Sequence, residues 1–127
     1  MIVGGSRLTS TECSLAREHL GELAPRVTFV TRDFRAADWS TGLVAPDAIV
    51  TMQAVHETRH KRHALPLLTQ ARELGGQLLY CDHYQQDGRK PELFLDRAEQ
   101  PDVLRAAGYA NVELLLDEGG MALYSAR

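Results

Sequence analysis

At 127 residues the chain is long enough for one core and too short for two. Its 44% hydrophobic and 24% charged content is that of an ordinary soluble globular domain and argues against extensive disorder. A net charge of −3 gives no basic field for a nucleic acid, and no apolar run nears the ~20 residues that cross a bilayer, so neither nucleic acid nor membrane is the expected partner.

In chain order, Thr11 to Leu23 places Cys13, Ala16, Leu20 and Leu23 at helical spacing, with Ser10 or Thr11 as N-cap. RVTFVT, Arg26 to Thr31, is β-branched and follows Pro25, which predicts a strand. DAIVTM, Asp47 to Met52, and QLLYC, Gln77 to Cys81, predict two more. Between them His63 to Leu74 carries Leu65, Leu68 and Ala71, with Pro66 in the first turn and Gly75-Gly76 as the stop. Strand, helix, strand in this order favours parallel pairing through a right-handed crossover.

Tyr84 to Leu95, YQQDGRKPELFL, is the one long candidate surface loop, a place where function or mobility concentrates. Pro101 to Ala107 predicts a short helix with Gln100 or Pro101 near its start and Gly108 as the stop. Val112 to Leu116 and Met121 to Tyr124 flank Asp117-Glu118-Gly119-Gly120, which predicts a closing antiparallel hairpin. Cys13 and Cys81 have no CxxC spacing and frame no disulfide pattern, which fits a reducing compartment. The first residues lack a signal peptide's pattern, so a cytoplasmic location is expected. Cys81 reads as a buried strand residue, and Trp39 beside Asp38 as packing for the turn before the next strand.

The segments DAIVTMQAVHE, ELGGQLLYCDH and VLRAAGYANVELL, in that order, resemble the second half of class I S-adenosylmethionine-dependent methyltransferases over about residues 12–127. The resemblance implies a truncated Rossmann-like methyltransferase sheet, mostly parallel and ending in an antiparallel hairpin, as a single α/β domain. It also implies S-adenosylmethionine as cofactor and a small-molecule acceptor. Carried over, Asp33 and the adjoining Phe34 match the position facing adenine, and Met52, Gln53 and Ala54 match the turn lining the methionine end. For Asp33 a second reading is a strand-end acid that caps the next turn.

The chain departs from the family in two ways. No GxGxG turn is present, and Ser6 and Arg7 stand where an acidic residue would bind the ribose. The resemblance therefore implies impaired cofactor binding. A sheet that lacks its central first strand also has an open apolar edge, so a homodimer is expected, with exchanged strands as one form of it.

HETRHKRH contributes the remaining candidates. On one helix His56 and His60 lie a turn apart, a spacing that chelates a divalent metal such as zinc or manganese, with His63 on nearly the same stripe. His56 and His63 are then about 10 Å apart along the axis, so another ligand is needed. Asp82 and His83, at the carboxyl end of the neighbouring parallel strand, can approach His56 or His60. Glu57, Asp82 and His83 are the acid–base candidates, Glu57 acting on a metal-bound water. Arg59, Lys61 and Arg62 oppose a dication, and the other reading of this run is a solvated basic helix start. Three functions stand side by side: a methyltransferase-like domain, a small metal-dependent hydrolase of esters or phosphoesters, and a non-catalytic dimeric fragment.

Overall fold

The computed structural model describes residues 2–5 and 10–127, with the side chains of residues 11 and 13–127. The expectation about Ser6 and Arg7 lies outside the described residues. Two compact units form, residues 1–39 and 40–127.

In the first unit β1 (Ile2–Gly5) pairs in parallel with β2 (Thr28–Thr31), Ile2 opposite Thr28 and Gly5 opposite Thr31. The connecting helix α1 spans Ser10–Leu20. It ends three residues before the apolar spacing predicts, because Gly21 turns left-handed at φ 53° and a 3₁₀ segment, Gly21–Arg26, carries Pro25 toward the strand. The Arg17 guanidinium lies 4.8 Å over the Phe29 ring, and Phe34 meets Trp39 edge to face at 5.2 Å.

The second unit holds a four-stranded sheet in the order β3 (Ala48–Met52), β4 (Gln77–His83), β6 (Met121–Ala126), β5 (Val112–Glu118). β3 and β4 are parallel, and β6 is antiparallel to both β4 and β5. Helix α2 (Ala64–Leu74) makes the crossover between β3 and β4, with Pro66 in its first turn as the sequence predicts. Ala64, Leu68 and Ala71 are buried at i, i+4 and i+7, the one stripe that reaches the sheet. The helix ends at Gly75 and Gly76, both at positive φ. Gly76 sits against Pro46, and Gln77 N–H bonds the Asp47 carbonyl at 3.0 Å, which sets the β3–β4 register from its first pair.

Helix α3 (Glu99–Ala106) starts one or two residues before the Gln100 or Pro101 that the sequence suggests as its beginning. The reason is Asp96. Its Oδ1 accepts from the N–H groups of Ala98 and Glu99, while Glu99 Oε2 accepts from the Asp96 N–H at 2.8 Å, a reciprocal capping box. The closing hairpin forms around Gly119 and Gly120 at φ 62° and 77°, as a two-residue turn with both centres left-handed demands. A bulge at Leu115 interrupts β5.

The core lies between the sheet and α2 and α3. Leu78, Tyr80, Ala122, Tyr124 and Ala126 supply the sheet side, and Leu68, Leu104 and Ala107 the helix side. β6 alternates buried and half-buried positions along its whole length, the period of a strand with one covered face. β4 runs to His83, two residues beyond its apolar run, because Asp82 and His83 pair with Ala122 and Met121 of β6.

Candidate functional site

The carboxyl ends of β3 and β4 lie side by side, the edge of an α/β sheet where ligands gather. Past Met52 the chain turns sharply. Gln53 is left-handed at φ 52°, and its N–H bonds the Cys81 carbonyl at 2.8 Å. Val55–Thr58 then forms a single 3₁₀ turn, closed by Thr58 Oγ1 donating to the Val55 carbonyl at 2.7 Å and ended by Arg59 at φ 72°. Two left-handed non-glycine residues thus bracket the turn that presents His56, and backbone strain of this kind is held only where surroundings enforce it.

Asp82 enforces it. The residue is 1% exposed, and its Oδ2 accepts from the His56 N–H at 3.0 Å. Its Oδ1 accepts from the His83 N–H at 2.8 Å and lies 2.5 Å from His56 Nδ1. Three donors converge on this buried carboxylate, which is how a charge persists away from water. Asp82 is the nearer and the more buried of the two carboxylates beside the ring, so the proton of the uncharged His56 ring sits on Nδ1 and Nε2 keeps its lone pair. Glu57 Oε1 lies 3.2 Å from that Nε2, on a side chain that is mostly in solvent.

The loop from Tyr84 to Leu95 closes over this pair. The Gln85 N–H bonds the Leu95 carbonyl at 2.8 Å, and Phe94 stacks on His56 with ring centres 4.9 Å apart and planes 24° from parallel. Arg89 ties the loop down, donating to the Tyr84 carbonyl at 2.8 Å and the Gly120 carbonyl at 3.1 Å and reaching His83 Nδ1 at 3.2 Å. Tyr84 Oη donates to Asp117 at 2.9 Å, and Arg97 forms an ion pair with the same carboxylate. Below the site, the buried Gln100 amide donates to the Asp82 and His83 carbonyls at 3.4 and 3.3 Å. Burial, with the Asp82 charge beside it, pushes the Tyr80 hydroxyl above its ordinary range. The same two causes raise the Cys81 thiol, so it is no ready nucleophile.

The structure therefore brings His56, Glu57, Asp82 and His83 together, with His56 and His83 ring centres 6.0 Å apart. His60 and His63 stand differently from expectation. Arg59 breaks the helix that would align them with His56, and His60 is extended at φ −161°. His60 Nδ1 accepts from the Arg62 N–H at 3.0 Å and caps the short turn Lys61–His63. Among the described residues no three His, Cys, Asp or Glu side chains gather into a metal-ligand set. The chelating spacing behind the hydrolase expectation is thus not realised.

Of the residues assigned to the cofactor, Met52 is 67% exposed beside the left-handed Gln53, whose amide lies 3.5 Å from Met121 Sδ. Ala54 leads into the His56 turn. In the first unit the Asp33 carboxylate is engaged by Arg35: Oδ1 takes the Arg35 N–H and Nε, both at 3.0 Å, and Oδ2 takes Nη2 at 3.1 Å. The turn-capping role that the sequence left open is present. Phe94, Arg89 and Gln100 are site residues that the sequence did not single out; only the length of their loop marked the first two.

Solved structures match the fold over nearly the whole chain. The CurJ carbon methyltransferase superposes with a TM-score of 0.73 at 17% identity, covering 98% of this chain and 40% of that one. The chain carries the class I methyltransferase fold. RosA, the N,N-8-amino-8-demethyl-D-riboflavin dimethyltransferase from Streptomyces davawensis, gives 0.67 at 20% identity, over 99% and 41%. PigF, solved with SAH, gives 0.66 at 16% identity, over 100% and 43%. The chain thus spans about two fifths of the length of these methyltransferases. No family model and no curated protein matches it. No helix among the described residues is long and apolar enough to cross a membrane.

Proposed function

We propose that this chain is the acceptor-side part of an S-adenosylmethionine-dependent methyltransferase, in which His56 takes the proton from the nucleophile to be methylated. One observation carries the reading: in a methyltransferase fold, an imidazole at the ligand-binding edge of the sheet is held through Nδ1 by a buried carboxylate at 2.5 Å.

The described residues fit one end of the cofactor. Met52 and Gln53, both exposed, and the half-buried Ala54 form the turn beside the site and would hold the methionine end, whereas the Asp33 carboxylate is already engaged by Arg35. S-adenosylmethionine, when bound, supplies an electrophilic methyl group. The chain's own residues do the rest. Asp82 holds the His56 proton on Nδ1 and balances the charge that the ring gains on accepting a proton at Nε2. Phe94 fixes the ring plane, and Glu57, at the solvent side of Nε2, receives the proton on its way to water.

Calorimetry on the full chain tests the reading. Micromolar binding of S-adenosylmethionine, weakened by Met52→Asp and left unchanged by His56→Asn, is the expected result. Absence of cofactor binding, with the protein folded, removes methyl transfer as an activity of this chain.

A further inference from the structure

The two histidines of the site are held by partners of opposite kind. His56 Nδ1 faces the Asp82 carboxylate, which only accepts, whereas His83 Nδ1 faces the Arg89 guanidinium, which only donates. Arg89 has little freedom to do otherwise, since its Nη1 is bound by the Tyr84 and Gly120 carbonyls and by Gln86 Oε1 at 3.1 Å. In their uncharged forms, with Glu57 Oε1 moved from its place 3.2 Å from His56 Nε2, the rings are therefore opposite tautomers: His56 offers a lone pair at Nε2, and His83 offers an N–H at Nε2. Their centres are 6.0 Å apart with planes 60° to each other.

We infer that His83 is a second substrate contact, donating through Nε2–H beside the proton-accepting Nε2 of His56. The site then selects a small molecule carrying an ionisable hydroxyl next to a second oxygen. The inference rests on the reading of His56 as the base. Two hydrogen bonds of about 2.8 Å to neighbouring oxygens bridge rings at this separation. The ionisable hydroxyl gives its proton to His56 and becomes the nucleophile. The adjacent oxygen accepts from His83, which turns the nucleophile to one orientation and disfavours a molecule with a single hydroxyl. Glu57, 69% exposed at its side chain, swings into solvent as the substrate enters.

Two measurements on the full chain test this, and neither needs a methyl donor. Long-range proton–nitrogen NMR is expected to show His56 protonated on Nδ1 and His83 on Nε2. His83 protonated on Nδ1 overturns the inference. Titration with catechol, resorcinol and phenol is expected to give catechol an advantage of about tenfold, the worth of one added hydrogen bond. His83→Gln, which places an amide N–H where Nε2–H stands, retains that advantage, and His83→Leu abolishes it. Equal affinity for catechol and phenol, or an advantage that survives His83→Leu, overturns it. Failure of the methyltransferase reading shows separately, as absent cofactor binding with the catechol preference intact.

Discussion

His56 Nδ1 and Asp82 Oδ1 lie 2.5 Å apart although 26 residues separate them in the chain. The pair exists because β3 and β4 are adjacent and parallel, so that the turn leaving β3 after Met52 begins beside the Cys81–Asp82 end of β4. If His56 is the base, His56→Asn lowers the methyl-transfer rate by about 10²–10⁴-fold, the usual worth of a positioned base. Asp82→Asn lowers kcat with little change in KM for the acceptor. Cofactor binding by both variants, followed by calorimetry, stays at the wild-type level. Product formation at equal cofactor occupancy is the measurement, and an unchanged rate in His56→Asn excludes the role.

Gly76 has φ +86°, and a Cβ there would approach the Pro46 carbonyl oxygen to 2.5 Å and the Asp47 carbonyl carbon to 2.9 Å. The neighbour in the way is backbone, which has little room to yield. Gly76→Ala is expected to destabilise the fold by about 2–4 kcal/mol, combining positive-φ strain with that clash. Denaturant unfolding measures it. Gly88→Ala is the control, since φ is also positive there and no atom lies within 4 Å of the added carbon.

All four tyrosines are held toward their protonated forms. Burial pushes the Tyr109 hydroxyl up to about 12 and raises Tyr124, burial followed by the Asp82 charge raises Tyr80, and Tyr84 is raised first by its hydrogen bond to Asp117. A tyrosine whose folded value lies above its unfolded value of about 10 stabilises the fold fully below that pH. Above it the unfolded chain releases protons that the folded chain keeps, so stability falls. The window for Tyr109 is pH 10–12, with a loss of about 3 kcal/mol across it. Tyrosinate absorbance near 295 nm should rise together with the loss of circular dichroism, and early titration of all four tyrosines in the folded chain contradicts this.

Phe94 stacks on His56, and Arg89 lies 5.7 Å from the centre of the Phe94 ring. Phe94→Leu removes the aromatic ring while keeping an apolar side chain. The His56 ring protons are expected to move downfield as the ring current vanishes, with a smaller loss of rate than in His56→Asn. Unmoved His56 resonances would mean that the loop does not cover the imidazole in solution.

β3 exposes Val50 at 64%, and among the described residues it pairs with β4 alone. We propose that this surface supports the homodimer expected from the sequence. Native mass spectrometry across a concentration series should show a dimer that Val50→Glu dissociates. A wild-type monomer at every concentration refutes it.

Much of the second unit was legible in the residues. DAIVTM and QLLYC announced two strands, Gly75-Gly76 the helix stop between them, and Gly119-Gly120 the closing turn, since each depends on neighbours in sequence. The parallel pairing of the first two strands was enough to anticipate Asp82 and His83 near His56. The histidine run misled, because helical spacing assumes a helix and Arg59 adopts a left-handed conformation that ends it. The early start of α3 came from Asp96 and Glu99, a capping pair lying before the apolar pattern begins.

What the sequence determined by itself was therefore local: where strands and helices form, which glycines turn the chain, and which residue types are present to do chemistry. The tertiary structure decided which of those groups work together. Asp82 became the anchor of His56 through strand register, and Arg89 and Phe94 joined the site through the closure of their loop. The reason is physical. Backbone preference depends on a few neighbouring residues, whereas the tautomer of an imidazole depends on which donor or acceptor the fold brings to about 3 Å of its nitrogen.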